Sequence, residues 1–94
     1  MRLFRYTLVE ADDSLGTYDE TVCYDYATDA DAFASLSCGE GGHGGWFSYA
    51  TDITEVTEIP QAWVDQQREL EAQRPYWTFV MPSPDAPVVA PDAA

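Results

Sequence analysis

Ninety-four residues and 10.5 kDa set a scale at which one small domain is expected, and no run approaches the roughly 18 apolar residues that a bilayer-spanning helix needs. Seventeen acids against four bases leave a formal charge of -13, the wrong sign for binding DNA or RNA, whose affinity comes from Lys and Arg displacing phosphate counterions. Hydrophobic residues at 46% and aromatics at 14% separate the chain from a disordered acidic tail.

The charge is distributed unevenly. All four bases are arginines, Arg2, Arg5, Arg68 and Arg74, and between Tyr6 and Gln67 there is no base at all. Folding brings like charges together at a cost in free energy, and solubility of a small domain needs a net charge of only about 2 to 8. Arg2 and Arg5 interrupt the first apolar residues and Glu10 follows too soon for a secretory hydrophobic segment, so a cytoplasmic setting is expected. There Cys23 and Cys38 are read as free thiols, with a Cys23–Cys38 disulfide as the alternative.

Along the chain, residues 2–10 alternate as a strand whose Phe4, Tyr6 and Leu8 face is buried. Asp, Ser and Gly at 11–16 predict a turn. Residues 17–27 return as the second strand of a hairpin, with Tyr18, Val22, Tyr24 and Tyr26 on one face and Asp19, Thr21, Cys23 and Asp25 on the other, its acids toward water. Thr28, Asp29 and Asp31 form a capping signature for a short helix over about 29–37, with Ala30, Phe33 and Leu36 as its apolar stripe. After a glycine-rich loop at 39–45, residues 45–50 and 52–59 predict two strands turning near Thr51 and Asp52.

Pro60 suits the first turn of a helix over 61–74, with Trp63 and Leu70 on one side, Asp65 early, Arg74 late, and Arg68 able to pair with Asp65 or Glu71. Residues 76–81 predict a last aromatic strand. The ββα-ββ-α-β layout predicts an α+β fold, a small single domain over 1–81 with an antiparallel sheet of four to five strands and two short helices on one face. Residues 82–94, rich in Pro and Ala, are expected to be a disordered or extended tail.

No catalytic signature is present, and the chain is not expected to be an enzyme. His43, the single histidine, sits between glycine pairs with no nucleophile and acid placed around it. The glycine-rich loop lacks the Gly-Lys-Ser/Thr ending of a phosphate loop. Cys23, Cys38 and His43 match no paired zinc spacing, and neither Asp12-Asp13 nor Asp29-x-Asp31 continues into a calcium loop. No metal and no cofactor are expected.

What remains is the carboxylate array. Alternate residues of a strand lie about 6.6 Å apart on one face, so Asp19 and Asp25 on one strand and Asp52 and Glu58 on another are spaced by whole steps. Asp12, Asp13, Glu20, Asp29, Asp31 and Glu55 complete the candidate acidic patch, with Glu10 adding charge at a loop end. Trp46 and Trp77 are candidate aromatic anchors. Such a surface fits the cationic groove of a basic nucleic-acid-binding protein.

A short, lysine-free, strongly acidic domain with a hairpin, small helices and no catalytic motif resembles the phage-encoded inhibitors of bacterial defence, in particular anti-CRISPR proteins and other DNA mimics. The resemblance spans the chain in size, charge and layout. It implies a stoichiometric inhibitor, in an infected bacterium, that covers the DNA-binding, PAM-reading surface of a CRISPR effector subunit. Because a core this small gains from burying an edge strand against a second copy, a monomer or weak homodimer is expected. The alternative is a non-mimic interaction module, antitoxin-like or an assembly factor, that binds through exposed aromatics or the C-terminal tail.

Overall fold

A computed structural model describes residues 1–36, 38–39 and 46–90. Where composition predicts a single domain over 1–81, the chain falls into two compact units, Met1–Val56 and Thr57–Ala94. The elements in order are β1 (Arg2–Asp12), β2 (Thr17–Ala27), a 3-10 helix (Ala30–Leu36), β3 (Cys38–Gly39), β4 (Trp46–Glu55), β5 (Ile59–Pro60), α1 (Gln61–Gln73) and β6 (Val88–Val89). Among the described residues the fold is α+β, with one antiparallel sheet of three long strands and one α-helix.

In the first unit β1 is central, between β2 and β4, and the two-residue β3 flanks β4. The β1–β2 hairpin closes through a four-residue turn, 13–16. Asp12 Oδ1 accepts from the Ser14 and Leu15 amides at 2.9 and 3.3 Å, and the Asp12 carbonyl accepts from Leu15 N at 3.2 Å. Gly16 takes φ +67°, the left-handed conformation that glycine adopts without penalty. An even-numbered turn sets an odd register, Asp12↔Thr17 through Arg2↔Ala27.

Residues directly opposite in an antiparallel pair share a face. Phe4, Tyr6 and Leu8 therefore lie with Asp25, Cys23 and Thr21, whereas Tyr18, Val22, Tyr24 and Tyr26 lie with Ala11, Thr7, Arg5 and Leu3. The two apolar faces read from the strands are opposite sides of the sheet, and both bury residues. On the first, Phe4, Tyr6, Ala27 and Phe33 form a cluster with Leu8, Cys23, Ala50 and Ile53 around it. On the second, Leu3, Val9, Ala11 and Tyr24 are buried.

The turn predicted near Thr51 and Asp52 is instead a β-bulge within a single strand. Arg5 pairs with Thr54 and Thr7 with Thr51, so Asp52 and Ile53 together oppose Tyr6, and Asp52 has φ +54°. In an unbroken strand Ala50 and Ile53 would point to opposite faces; the extra residue reverses the alternation and brings both onto the Phe4–Tyr6 cluster. The same reversal breaks up the predicted Asp52–Thr54–Val56–Glu58 row.

Of the segment predicted as a helix over 29–37, Ala30–Leu36 form a 3-10 helix, in which residues three apart eclipse, matching the Ala30–Phe33 spacing. Phe33 is its buried side chain, edge-on to Phe4 at 5.4 Å and tilted on Tyr6 at 4.7 Å between ring centroids. Phe33 thus covers part of that face, and the predicted pair of short helices on one face is corrected to this 3-10 helix and, in the second unit, the single α-helix α1 among the described residues.

There Ile59, fully buried, donates its amide to Pro87 O at 2.8 Å, and β5 pairs in parallel with β6. Within 82–94, expected to be disordered or extended, Val88–Val89 are thus a short paired strand. Pro60 caps α1 from outside rather than occupying its first turn, Asp65 accepts from Gln61 Nε2 at 2.9 Å, and Val64 and Gln67 are the buried positions. Residues 76–81 are not a strand. Phe79 N donates to Glu71 Oε2 at 2.6 Å, and its ring meets Trp63 edge-on at 5.5 Å, so Phe79 packs on the helix while Tyr76 and Val80 stay exposed. Arg68 lies over the Phe79 ring at 5.6 Å instead of pairing with Asp65 or Glu71.

Phe33→Ala is expected to cost about 3–5 kcal/mol of unfolding free energy, because it opens a cavity over two aromatic rings. Asp52→Val is expected to cost about 1–2 kcal/mol, since a β-branched residue resists positive φ, whereas Asp52→Gly leaves stability near the starting value. Urea titration followed by tryptophan fluorescence measures all three.

Candidate functional site

The end of the β1–β2 hairpin that carries the turn gathers five carboxylates. Glu10 stands directly opposite Asp19, Glu20 is one rung further from the turn opposite Val9, Asp12 closes the ladder against Thr17, and Asp13 follows in the turn. Four of these, Asp12, Asp13, Asp19 and Glu20, belong to the predicted patch. Glu10, which the sequence reading leaves at its margin, is brought into it by the register. Thr17, Tyr18, Asp19 and Glu20 are all exposed. A shallow depression of about 240 Å³ is lined by Glu10, Ala11, Thr17, Tyr18 and Asp19.

The nearest base along β1 is Arg5, five residues from Glu10 or about 17 Å at the rise of an antiparallel strand. That is about two Debye lengths at physiological ionic strength. Arg2 is further away and engaged: its guanidinium meets Glu55 Oε2 at 3.1 Å, donates to Thr28 O at 3.3 Å and lies 5.4 Å from the Phe4 ring centroid. The hairpin thus separates charge along its length, with Arg2 and Arg5 toward one end and these five carboxylates at the other. Placing Glu10 directly across from Asp19 costs stability, because like charges opposite one another repel.

Two of these carboxylates, Asp12 and Glu20, accept hydrogen bonds from neighbouring residues of the hairpin. The Ser14 hydroxyl, helped by the Ser14 and Leu15 amides, keeps the Asp12 carboxyl below the usual carboxylate range. Tyr18 Oη donates to Glu20 Oε1 at 2.9 Å, and this bond pushes the phenol above its usual range. The exposed Tyr18 ring stands beside the carboxylates as an apolar rim.

The other predicted patch residues lie elsewhere. Asp25 and Glu55 flank Phe4 on the two neighbouring strands, Glu55 already paired with Arg2. Asp52 is at the bulge, and Asp29 and Asp31 are exposed at the start of the 3-10 helix. Glu58 belongs to the second unit. The ten acids are therefore not one patch; the four at the turn form its coherent part, joined by Glu10. Of the predicted anchors, Trp77 is part-exposed, 6.4 Å from the Phe79 ring and under the Arg74 guanidinium at 5.9 Å. Trp46 pairs with Asp12 in the ladder, and its side chain lies outside the described residues, as do His43 and the side chain of Cys38.

Among the described residues no three or more His, Cys, Asp or Glu side chains converge as a metal-binding group, and no helix is long and apolar enough to cross a membrane. Comparison with known proteins finds no matching family model, no matching curated protein and no matching solved structure.

Behind the acids, Tyr6 and Cys23 face each other across β1 and β2. Burial, then the neighbouring thiol and Asp25, push the Tyr6 phenol above its usual range; burial pushes the Cys23 thiol up as well. Both groups are held neutral by folding, so their contribution is complete below their unfolded values, 9.0 for the thiol and 10.0 for the phenol, and is lost as pH rises through the higher folded values. The melting temperature is expected to fall steadily above about pH 9, with a shallower fall in Tyr6→Phe, in thermal scans from pH 7 to 11.

Proposed function

We propose that the protein is a stoichiometric inhibitor that presents the turn end of its β1–β2 hairpin as a mimic of a phosphodiester backbone, and so occupies the DNA-binding, PAM-reading surface of a CRISPR effector complex. The observation that carries this reading is the concentration of Glu10, Asp12, Asp13, Asp19 and Glu20 at one end of a hairpin whose arginines lie at the other. Asp12, Glu10, Asp19 and Glu20 fall within four successive rungs, about 10 Å, and Asp13 follows in the turn, so the array carries one charge per roughly 3 Å. Duplex DNA carries one per about 1.7 Å of its axis. The linear spacing of charge here is within about a factor of two of that of the duplex.

The effector class follows from the resemblance in size, charge and layout; the acidic hairpin supports a basic nucleic-acid site as the target. An interaction module acting through aromatics is the second reading, favoured by Tyr76, which is fully exposed beside Trp77 and Arg74, since Trp, Tyr and Arg dominate binding energy at interfaces.

Binding to a purified DNA-binding effector complex is expected to weaken steeply between about 50 and 500 mM salt and to compete with target DNA. The triple variant Asp13→Asn, Asp19→Asn, Glu20→Gln, which spares the Asp12 turn, is expected to bind at least tenfold more weakly, while Asp65→Asn with Glu69→Gln leaves affinity unchanged. Salt-insensitive binding that Trp77→Ala abolishes would reject mimicry in favour of the second reading.

A further inference from the structure

The geometry points to the outer edge of β2 at Thr17–Thr21 as a strand-addition site for an extended, arginine- or lysine-bearing segment of the partner. This rests on the reading of a cationic partner and names how one of its segments is held. Among the described residues β2 pairs on one side only, with β1, and forms the border of the sheet. Within its 11 residues, Thr17–Glu20 are exposed, so none of the described residues buries that stretch. A bordering strand with unused amides and carbonyls is a ready template for another chain, and natural sheets blunt such borders with inward charges, bulges or proline. This stretch has no proline, and its bulge-free ladder with β1 runs unbroken to the turn.

Its side chains state which chain fits. Asp19 points to the face it shares with Glu10, and Glu20 to the opposite face, where Tyr18 Oη holds its carboxylate. An added strand that alternates sides would set cationic residues against Asp19 and Glu10 on one face and Glu20 on the other, with the exposed Tyr18 ring against an alkyl stem or guanidinium. A second copy of this chain is the wrong occupant: antiparallel pairing of β2 with itself would bring Asp19 and Glu20 onto acids of the same strand, and like charges across a ladder repel. Charge keeps the border free of self-association while leaving it open to a basic segment.

The test uses the whole protein and two synthetic probes, a nine-residue peptide of arginine pairs alternating with valine pairs (Arg-Arg-Val-Val-Arg-Arg-Val-Val-Arg), which puts arginine on both faces of an added strand, and the same peptide N-methylated on its five central backbone nitrogens, which keeps the charge and removes those donors. The expected result is that the first binds and slows amide exchange at alternate residues within Thr17–Thr21 at least tenfold by NMR, while the second binds at least tenfold more weakly. Equal binding of both with unchanged exchange at Thr17–Thr21 would overturn strand addition and leave the acidic surface standing. Binding of neither also overturns it. Concentration-dependent protection of the same amides without peptide would assign the border to a second copy and overturn it too. Conversely, peptide binding that is sensitive to N-methylation, in a protein that fails to compete with DNA, would retain strand addition and reject mimicry.

Discussion

The register of the β1–β2 hairpin is the constraint from which the rest of the first unit follows. A turn of four residues, tied by the Asp12 carboxylate and released by Gly16 at positive φ, pairs even-numbered residues of β1 with odd-numbered residues of β2. A turn one residue longer or shorter would slide every side chain of β2 to the other face, placing Tyr24 and Tyr26 with Phe4 and Tyr6 and leaving Val9 and Ala11 without aromatic neighbours on that strand. With the observed turn, both faces of β1 carry apolar residues. Phe33 covers one through its contacts with Phe4 and Tyr6; on the other, Tyr24 is buried alongside Leu3, Val9 and Ala11. The same parity sets Glu10 against Asp19, so the element that makes the core also builds the charge concentration.

β4 meets this arrangement by changing its own parity midway. Its first half offers Ala50 to the Phe33 side, and an unbroken continuation would have offered Asp52 and Thr54. Inserting Asp52 at positive φ substitutes Ile53, so a charged residue moves out of a partly buried row and a β-branched apolar one moves in. Asp tolerates the left-handed region because its short polar side chain bonds locally. This is the chemistry that also makes Asp a turn former.

That shared chemistry shows what the sequence could and could not disclose. The hairpin, its turn and the helix after Pro60 were legible because alternation, an Asp-Asp-Ser-Leu-Gly segment and a proline are local signals. The Thr51–Asp52 signal was seen and assigned to a turn, since a bulge and a turn ask the same backbone of Asp52 and differ only in whether the chain continues along β1. The relative facing of β1 and β2 was hidden for another reason: each strand's alternation is visible alone, but which faces coincide depends on the number of turn residues left unpaired. The 76–81 segment has strand composition, yet Phe79 is taken by Glu71 and Trp63 of the helix, a partnership that no window along the chain displays. The acids were legible as a count, and their separation into a group at the turn and others near Arg2 and in the second unit only through the register.

Charge alone is a poor source of selectivity. An array of carboxylates attracts any cationic surface, raises the rate of encounter and weakens with salt, while adding little that distinguishes one basic groove from another. Selectivity requires groups whose satisfaction depends on direction, because a wrong partner then leaves buried donors and acceptors unpaired. At the turn end of this hairpin the directional groups are the outward amides and carbonyls of Thr17–Thr21, and they lie between Asp19 on one face and Glu20 on the other. The repulsion that Glu10 and Asp19 impose on the fold is therefore more than a residue of high net charge. On the strand-addition proposal the carboxylates beside this border would repel a second copy and admit a strand of opposite sign, so the electrostatic and backbone features would select one class of partner.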